Sequence, residues 1–153
     1  MKKSHKVHRS NSIHHRKTGR MLATMVLPIS MDELKQLTKD WLFDWMQESL
    51  KYDVYKLVTV EKQKTVVGLI SLQIQNGFYY VSLIESAPHN RGSEKINDGI
   101  GGNLFAFVCK ISREKGFYGF VTFESKSELK DYYARNFGAK TIGNSSRMFI
   151  DEA

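Results

Sequence analysis

The sequence predicts one mixed α/β domain, with a mostly antiparallel central sheet, one parallel crossover and helices on both faces. Three observations carry this prediction. Asn76-Gly77 lies between two apolar runs and fits a two-residue hairpin turn, because both positions tolerate positive φ. Asn97-Asp98-Gly99-Ile100-Gly101-Gly102-Asn103-Leu104 joins a strand pattern to an amphipathic helix through glycines. The helix then feeds another strand at 120–123, which a right-handed connection places parallel to the central one.

The elements follow in order. Ser30-Met31-Asp32-Glu33 reads as a capping box, and Leu34, Leu37, Trp41, Leu42 and Trp45 recur at helical spacing to about Leu50. Strands are expected at 54–60 and 66–75 around a polar turn, with a third at 78–85. That third run is apolar on nearly every residue, so it should be central and covered on both faces. The next helix carries Leu104, Phe107, Val108 and Ile111 and stops at Gly116. A second capping box, Ser125-Lys126-Ser127-Glu128, opens a helix bearing Leu129, Tyr132, Tyr133 and Phe137 and stopped by Gly138. Short strands at 139–142 and 147–150 close the chain.

Composition limits the functional classes. The 153 residues are 41% apolar and 25% charged, as expected for one globular domain. The formal charge of +7 is local: residues 1–20 hold Lys2, Lys3, Lys6, Arg9, Arg16, Lys17 and Arg20 and no acid. The remaining 16 basic residues balance 16 acidic ones, so the folded part offers no net field to a polyanion. Residues 1–20 are read as a disordered basic tail able to touch a polyanion, and 21–153 as the domain. The single Cys109 falls in a helical apolar pattern, which fits a buried thiol in a reducing, cytoplasmic setting. The run at 21–29 lacks the form of a signal peptide, and no segment is long enough to span a membrane. His5, His8, His14 and His15 lack supporting cysteines or carboxylates, so no metal is expected.

The order of elements and the Gly-Ile-Gly-Gly turn resemble the GNAT superfamily of acyl-CoA N-acetyltransferases over about residues 21–150. The strings Val-Tyr-Lys-Leu (54–57), Gly-Leu-Ile-Ser-Leu (68–72), Leu-Ile-Glu-Ser-Ala-Pro (83–88), Gly-Asn-Leu-Phe-Ala-Phe (102–107) and Arg-Met-Phe-Ile-Asp (147–151) are similar to a little-characterised bacterial group of GNAT-like proteins. The resemblance implies acetyl transfer from acetyl-CoA, as co-substrate, to a primary amine. Gly99, Gly101 and Gly102 match its pyrophosphate loop, with N–H groups from Gly99 through Ile100 to Asn103 facing the diphosphate. Ser86 and Ala87 match the end of a splayed central strand that pairs with the pantetheine arm. Tyr133 matches the tyrosine that protonates the departing thiolate, although its spacing to Gly138 is one residue longer than usual. Glu85 matches a carboxylate that takes a proton from the substrate ammonium.

Some residues depart from that pattern. Ile96 stands where an Arg or Gln is usual, the loop is longer around 92–97, and Asp98 brings a negative charge that Arg91 or Lys95 can offset. Tyr133 equally suits a buried structural tyrosine, and Glu85 a solvated strand end. The other functional reading is a weak or inactive binding module whose basic tail engages nucleic acid or a ribosomal surface. Either form is expected as a monomer or homodimer.

Overall fold

The computed structural model describes residues 12–37, 39–91, 95–125 and 129–151. Nine strands form one sheet: β1 (Ser12–His15), β2 (Met21–Pro28), β3 (Asp53–Thr59), β4 (Val66–Gln75), β5 (Phe78–Ser86), β6 (Asn97–Asp98), β7 (Val121–Glu124), β8 (Lys140–Thr141) and β9 (Arg147–Ile150). The helices are α1 (Met31–Lys35), α2 (Trp45–Ser49), α3 (Ile100–Glu114) and α4 (Lys130–Phe137). The strand order is β6-β1-β2-β3-β4-β5-β7-β9-β8. Every neighbouring pair is antiparallel except β5 and β7, so the predicted mixed sheet with one parallel crossover is the observed one.

Two features of β5 shape the site. Its pairing with β7 covers only Tyr79 to Val81 against Val121 to Phe123, so the strands part beyond Val81. On the other edge, Leu72 faces Val81 while Ser71 faces Leu83, which leaves Ser82 as an extra, bulged residue. A bulge bends the strand that carries it and sharpens local twist, here at the point where the two parallel strands separate.

Helix α3 packs on one face, where Leu104, Phe105, Val108 and Cys109 meet Ile70, Val81, Val121 and Phe123. Burial of each large side chain there contributes about 1.5–3 kcal/mol. The helix comes close because β4 presents Gly68, where a Cβ would lie 2.7 Å from Ile100 Cγ2. On the opposite face Leu34 of α1 and Trp45 of α2 pack on Val54 and Leu69.

Three expectations change. The helix foreseen from Ser30 to Leu50 is two short helices, and Leu42, read as buried, is 73% exposed. The capping box at Ser30 is present, but the chain leaves α1 after one turn and is recapped by Asp44, whose carboxylate accepts from Gln47 N at 3.1 Å. The expected disordered tail does not extend through 12–20: Ile13 is 1% exposed, and β1 pairs with both β2 and β6. One apolar residue among polar neighbours is a faint sequence signal, yet its burial and two strand partners suffice to order it. Strand β2 was likewise missed, because its apolar run has no clean alternation. In the second capping box, Lys126, Ser127 and Glu128 lie outside the described residues; α4 starts at Lys130, later than that box implied, and is stopped by Gly138, as foreseen.

Candidate active site

A groove of about 520 Å³ opens where the first turn of α3 meets the end of β5, the β1–β6 pair and α4. Six of the expected cofactor residues line it: Ser86, Gly99, Ile100, Gly101, Gly102 and Asn103. Gly99 caps α3 at φ +95°, a left-handed conformation that favours glycine. The first intrahelical bond runs from Asn103 N to Gly99 O at 3.0 Å. The preceding N–H groups of Ile100, Gly101 and Gly102 therefore have no helical acceptor, and the positive end of a 15-residue helix dipole lies with them. A Cβ on Gly101 would meet nothing within 4 Å, so the backbone there borders open space. Free N–H groups at a helix start beside open space are the arrangement that suits an anion.

Asn103 and Ala87 do other work than expected. The Asn103 N–H is spent inside the helix, and its buried amide ties three segments together. Nδ2 donates to Ser12 O at 2.6 Å and Gly99 O at 2.9 Å, while Oδ1 accepts from Thr24 Oγ1 at 2.6 Å. Ala87 lies off the groove, and its N–H donates to Val67 O at 2.9 Å. β5 turns its backbone at that point toward β4, away from the parting strands.

The longer loop is held by polar contacts that spacing did not reveal. Asn97 N donates to the buried Asn90 Oδ1 at 2.9 Å, and Arg16 N donates to Ile96 O at 2.9 Å. The Ile96 side chain points to a separate cavity beside the β1–β2 and β3–β4 turns, not to the groove. Asp98 is offset by Lys95 Nζ at 3.1 Å and by Arg16 Nε at 3.8 Å. Arg91, the other expected partner, is engaged elsewhere.

Arg91 belongs to Glu85, which is 4% exposed on the α1–α2 side of β5. Its Oε2 accepts from Leu42 N at 2.6 Å and Arg91 Nη1 at 3.2 Å; its Oε1 accepts from Phe43 N at 3.2 Å and Trp45 Nε1 at 2.8 Å. A carboxylate offers about four lone-pair positions, and all are taken. Arg91 Nη2 also holds Asp40 O at 2.8 Å. Glu85 is thus the anchor of the α1–α2 connector, and a proton acceptor needs a lone pair that this carboxylate does not have to spare. The carboxylate expected to act as a base is a structural one because its donors come from a segment far away in sequence.

Tyr133 packs beneath the splay, its ring 4.9 Å from Phe123 and 6.0 Å from Phe105 by centroids. Burial raises its phenol above the usual tyrosine range, which keeps the hydroxyl protonated. The groove itself is lined by the neighbouring Tyr132. Among the described residues no three His, Cys, Asp or Glu side chains are placed to share a metal ion, and no helix is long and apolar enough to cross a membrane.

No family model matches the sequence, and no curated protein does either. Solved structures do match. The PaiA N-acetyltransferase from Thermoplasma acidophilum, in complex with coenzyme A, superposes with a TM-score of 0.60 at 13% identity over 85% of this chain and 99% of its own. The ribosomal-protein-S18-alanine N-acetyltransferase from Escherichia coli gives 0.60 at 12% identity over 84% and 93%. An acetyltransferase of the GNAT family from Staphylococcus aureus Mu50 gives 0.54 at 13% identity over 84% and 99%. A bulged central strand, a parallel partner that parts from it and a glycine-capped crossover helix thus coincide with a shared architecture: the chain has the GNAT N-acetyltransferase fold.

Proposed function

We propose that the protein is a cytoplasmic N-acetyltransferase that moves an acetyl group from acetyl-CoA to a primary amine. The observation that carries this reading is the cradle of Ile100, Gly101 and Gly102 N–H groups opening into the groove beside the separated β5 and β7. Those donors fit a diphosphate, and acetyl-CoA supplies the reactive thioester. Among the described residues the β7-side edge of β5 has no partner strand beyond Val81, so its backbone can pair with an extended arm, with Ser86 at the groove wall. The donors are fixed before the ligand arrives, which lowers the ordering cost of binding. Tyr133, kept protonated by burial, holds the proton for the departing sulfur.

The nucleic-acid reading loses part of its support in the folded chain. Arg20 is paired with Glu61 and Arg16 with Asp98, so a polyanion contact through 1–20 draws on fewer uncommitted charges than the sequence suggested.

Calorimetric titration of acetyl-CoA tests the transferase reading, with Gly101→Glu as control. The parent should bind with micromolar affinity, about −8 kcal/mol. Gly101 lies in helical backbone facing open space, so the variant should fold normally while its carboxylate repels the diphosphate. Absence of heat from the parent at millimolar ligand sinks the proposal. Tyr133→Phe should keep the affinity and slow turnover by about ten- to a thousandfold; unchanged turnover reduces Tyr133 to a packing residue.

A further inference from the structure

With Glu85 saturated, a second carboxylate on the α1–α2 face is tied through one hydroxyl to β5 just beyond its pairing with β7. Glu48 of α2 is half-buried, and its Oε2 accepts from Ser71 Oγ at 2.5 Å. Ser71 is fully buried, and its Oγ accepts in turn from Leu83 N at 3.0 Å. Leu83 follows the bulged Ser82, the first β5 residue beyond the β7 pairing. Two hydrogen bonds therefore fix this carboxylate against the splay. Its Oε1 accepts no hydrogen bond among the described residues.

The surroundings suit a cation. Tyr80, on the same face, meets the Tyr52 ring at a tilt with centroids 6.2 Å apart and carries the Arg147 guanidinium 4.8 Å from its ring centre. The Arg147 guanidinium is one cation that this aromatic and acidic surrounding already holds. Arg147 Nη1 donates to Thr122 Oγ1 at 3.3 Å, and Glu124 Oε1 accepts from Ser146 Oγ at 3.3 Å. The phenol of Tyr80 is raised by burial first and then by Glu124, Tyr52 and Glu48, with Arg147 opposing, which places both carboxylates within electrostatic reach of one ring. The glycine cradle and α4 lie toward the α3 face, so an amine arriving on the α1–α2 face meets the thioester from the other side of the strand.

Resting on the transferase reading above, we propose that Glu48 is a catalytic residue, the proton acceptor for the incoming ammonium. The ammonium gives one proton to the Glu48 carboxylate, and the freed lone pair forms the N–C bond to the thioester carbon. The C–S bond breaks with its electron pair on sulfur. Tyr133 donates a proton to that sulfur and recovers one from the acylated nitrogen, while Glu48 returns its proton to solvent. One ammonium and one thioester give one amide, one thiol and one released proton.

Glu48→Gln in the full chain tests this, because glutamine still accepts from Ser71 but takes up no proton. Thiol release from acetyl-CoA is followed at pH 7 with two probe acceptors, n-butylamine, which is protonated, and methoxyamine, which is neutral. The variant should lose about a hundredfold in kcat with n-butylamine and less than about threefold with methoxyamine, since the second needs no deprotonation before attack. Acetyl-CoA affinity should stay within about twofold of the parent. In Glu48→Ala, added formate should restore n-butylamine transfer at least in part, an effect that lost packing does not produce. Equal losses with both probes, no loss, or no formate rescue overturns the role of Glu48, as does a parent that binds acetyl-CoA yet acetylates neither probe. A parent that fails to bind acetyl-CoA overturns the transferase reading itself.

Discussion

On the α3 side of the sheet, donors await an acceptor; on the α1–α2 side, one acceptor has gathered four donors. Ile100, Gly101 and Gly102 present N–H groups to an open groove, whereas Glu85 draws Leu42, Phe43, Trp45 and Arg91 to a single carboxylate. The first region leaves donors open to a groove, and the second holds the chain together. The contrast shows that a charged residue beside a reaction centre is not a functional group until its partners are counted, and that an uncharged turn can be one.

The largest effect expected from this contrast is on stability. Glu85→Ala leaves Trp45 Nε1 and two connector N–H groups without their acceptor and strands Arg91, which should destabilise the fold by about 3–5 kcal/mol. Acetyl-CoA affinity of the folded fraction should change by less than about threefold, since the groove faces the other way. Denaturant unfolding decides the point. A loss below about 1 kcal/mol erases the contrast by showing that the connector is held by other means.

Asn103→Ala should give the opposite signature. Removing the amide releases Ser12 O, Gly99 O and Thr24 Oγ1, for about 1–3 kcal/mol of stability. Because that amide braces the glycine loop, acetyl-CoA binding should also weaken by about tenfold, or 1.4 kcal/mol. If stability falls and affinity does not, the loop keeps its shape without β1 and the two regions differ less than their contacts imply.

The smallest effect is a pH dependence confined to the α1 side. The hydrogen bond from Lys56 holds the Glu33 carboxyl below its usual value of 4.5, with the Ser30 backbone N–H adding to it. A carboxyl lowered in the folded state contributes stability that is complete above 4.5 and is lost as pH falls through the lower, folded value. Glu33 is partly exposed, so the contribution is at most about 1 kcal/mol. Lys56→Met should remove most of it at pH 7 and little at pH 2, measured as the stability gap between parent and variant. A gap independent of pH would assign the effect of Lys56 to packing by its stem instead.

What could be read along the chain was local. Apolar runs and turn residues marked β3, β4, β5 and their hairpin, because each is decided by neighbours within a few positions. The glycines before α3 announced the cradle for the same reason, since a left-handed cap and free N–H groups are properties of one turn. What the tertiary structure alone decided was the assignment of polar side chains to partners. The spacing of Leu34, Leu37, Trp41, Leu42 and Trp45 suggested one helix, but Glu85, 43 residues beyond Leu42, takes the N–H groups of Leu42 and Phe43 out of helical bonding. Ile13 became core only when β6 and β2 closed around it, and Glu48 met Ser71 only when α2 was laid on β4. Backbone propensity is set by adjacent residues, whereas the use of a carboxylate depends on which donors folding brings within hydrogen-bond reach.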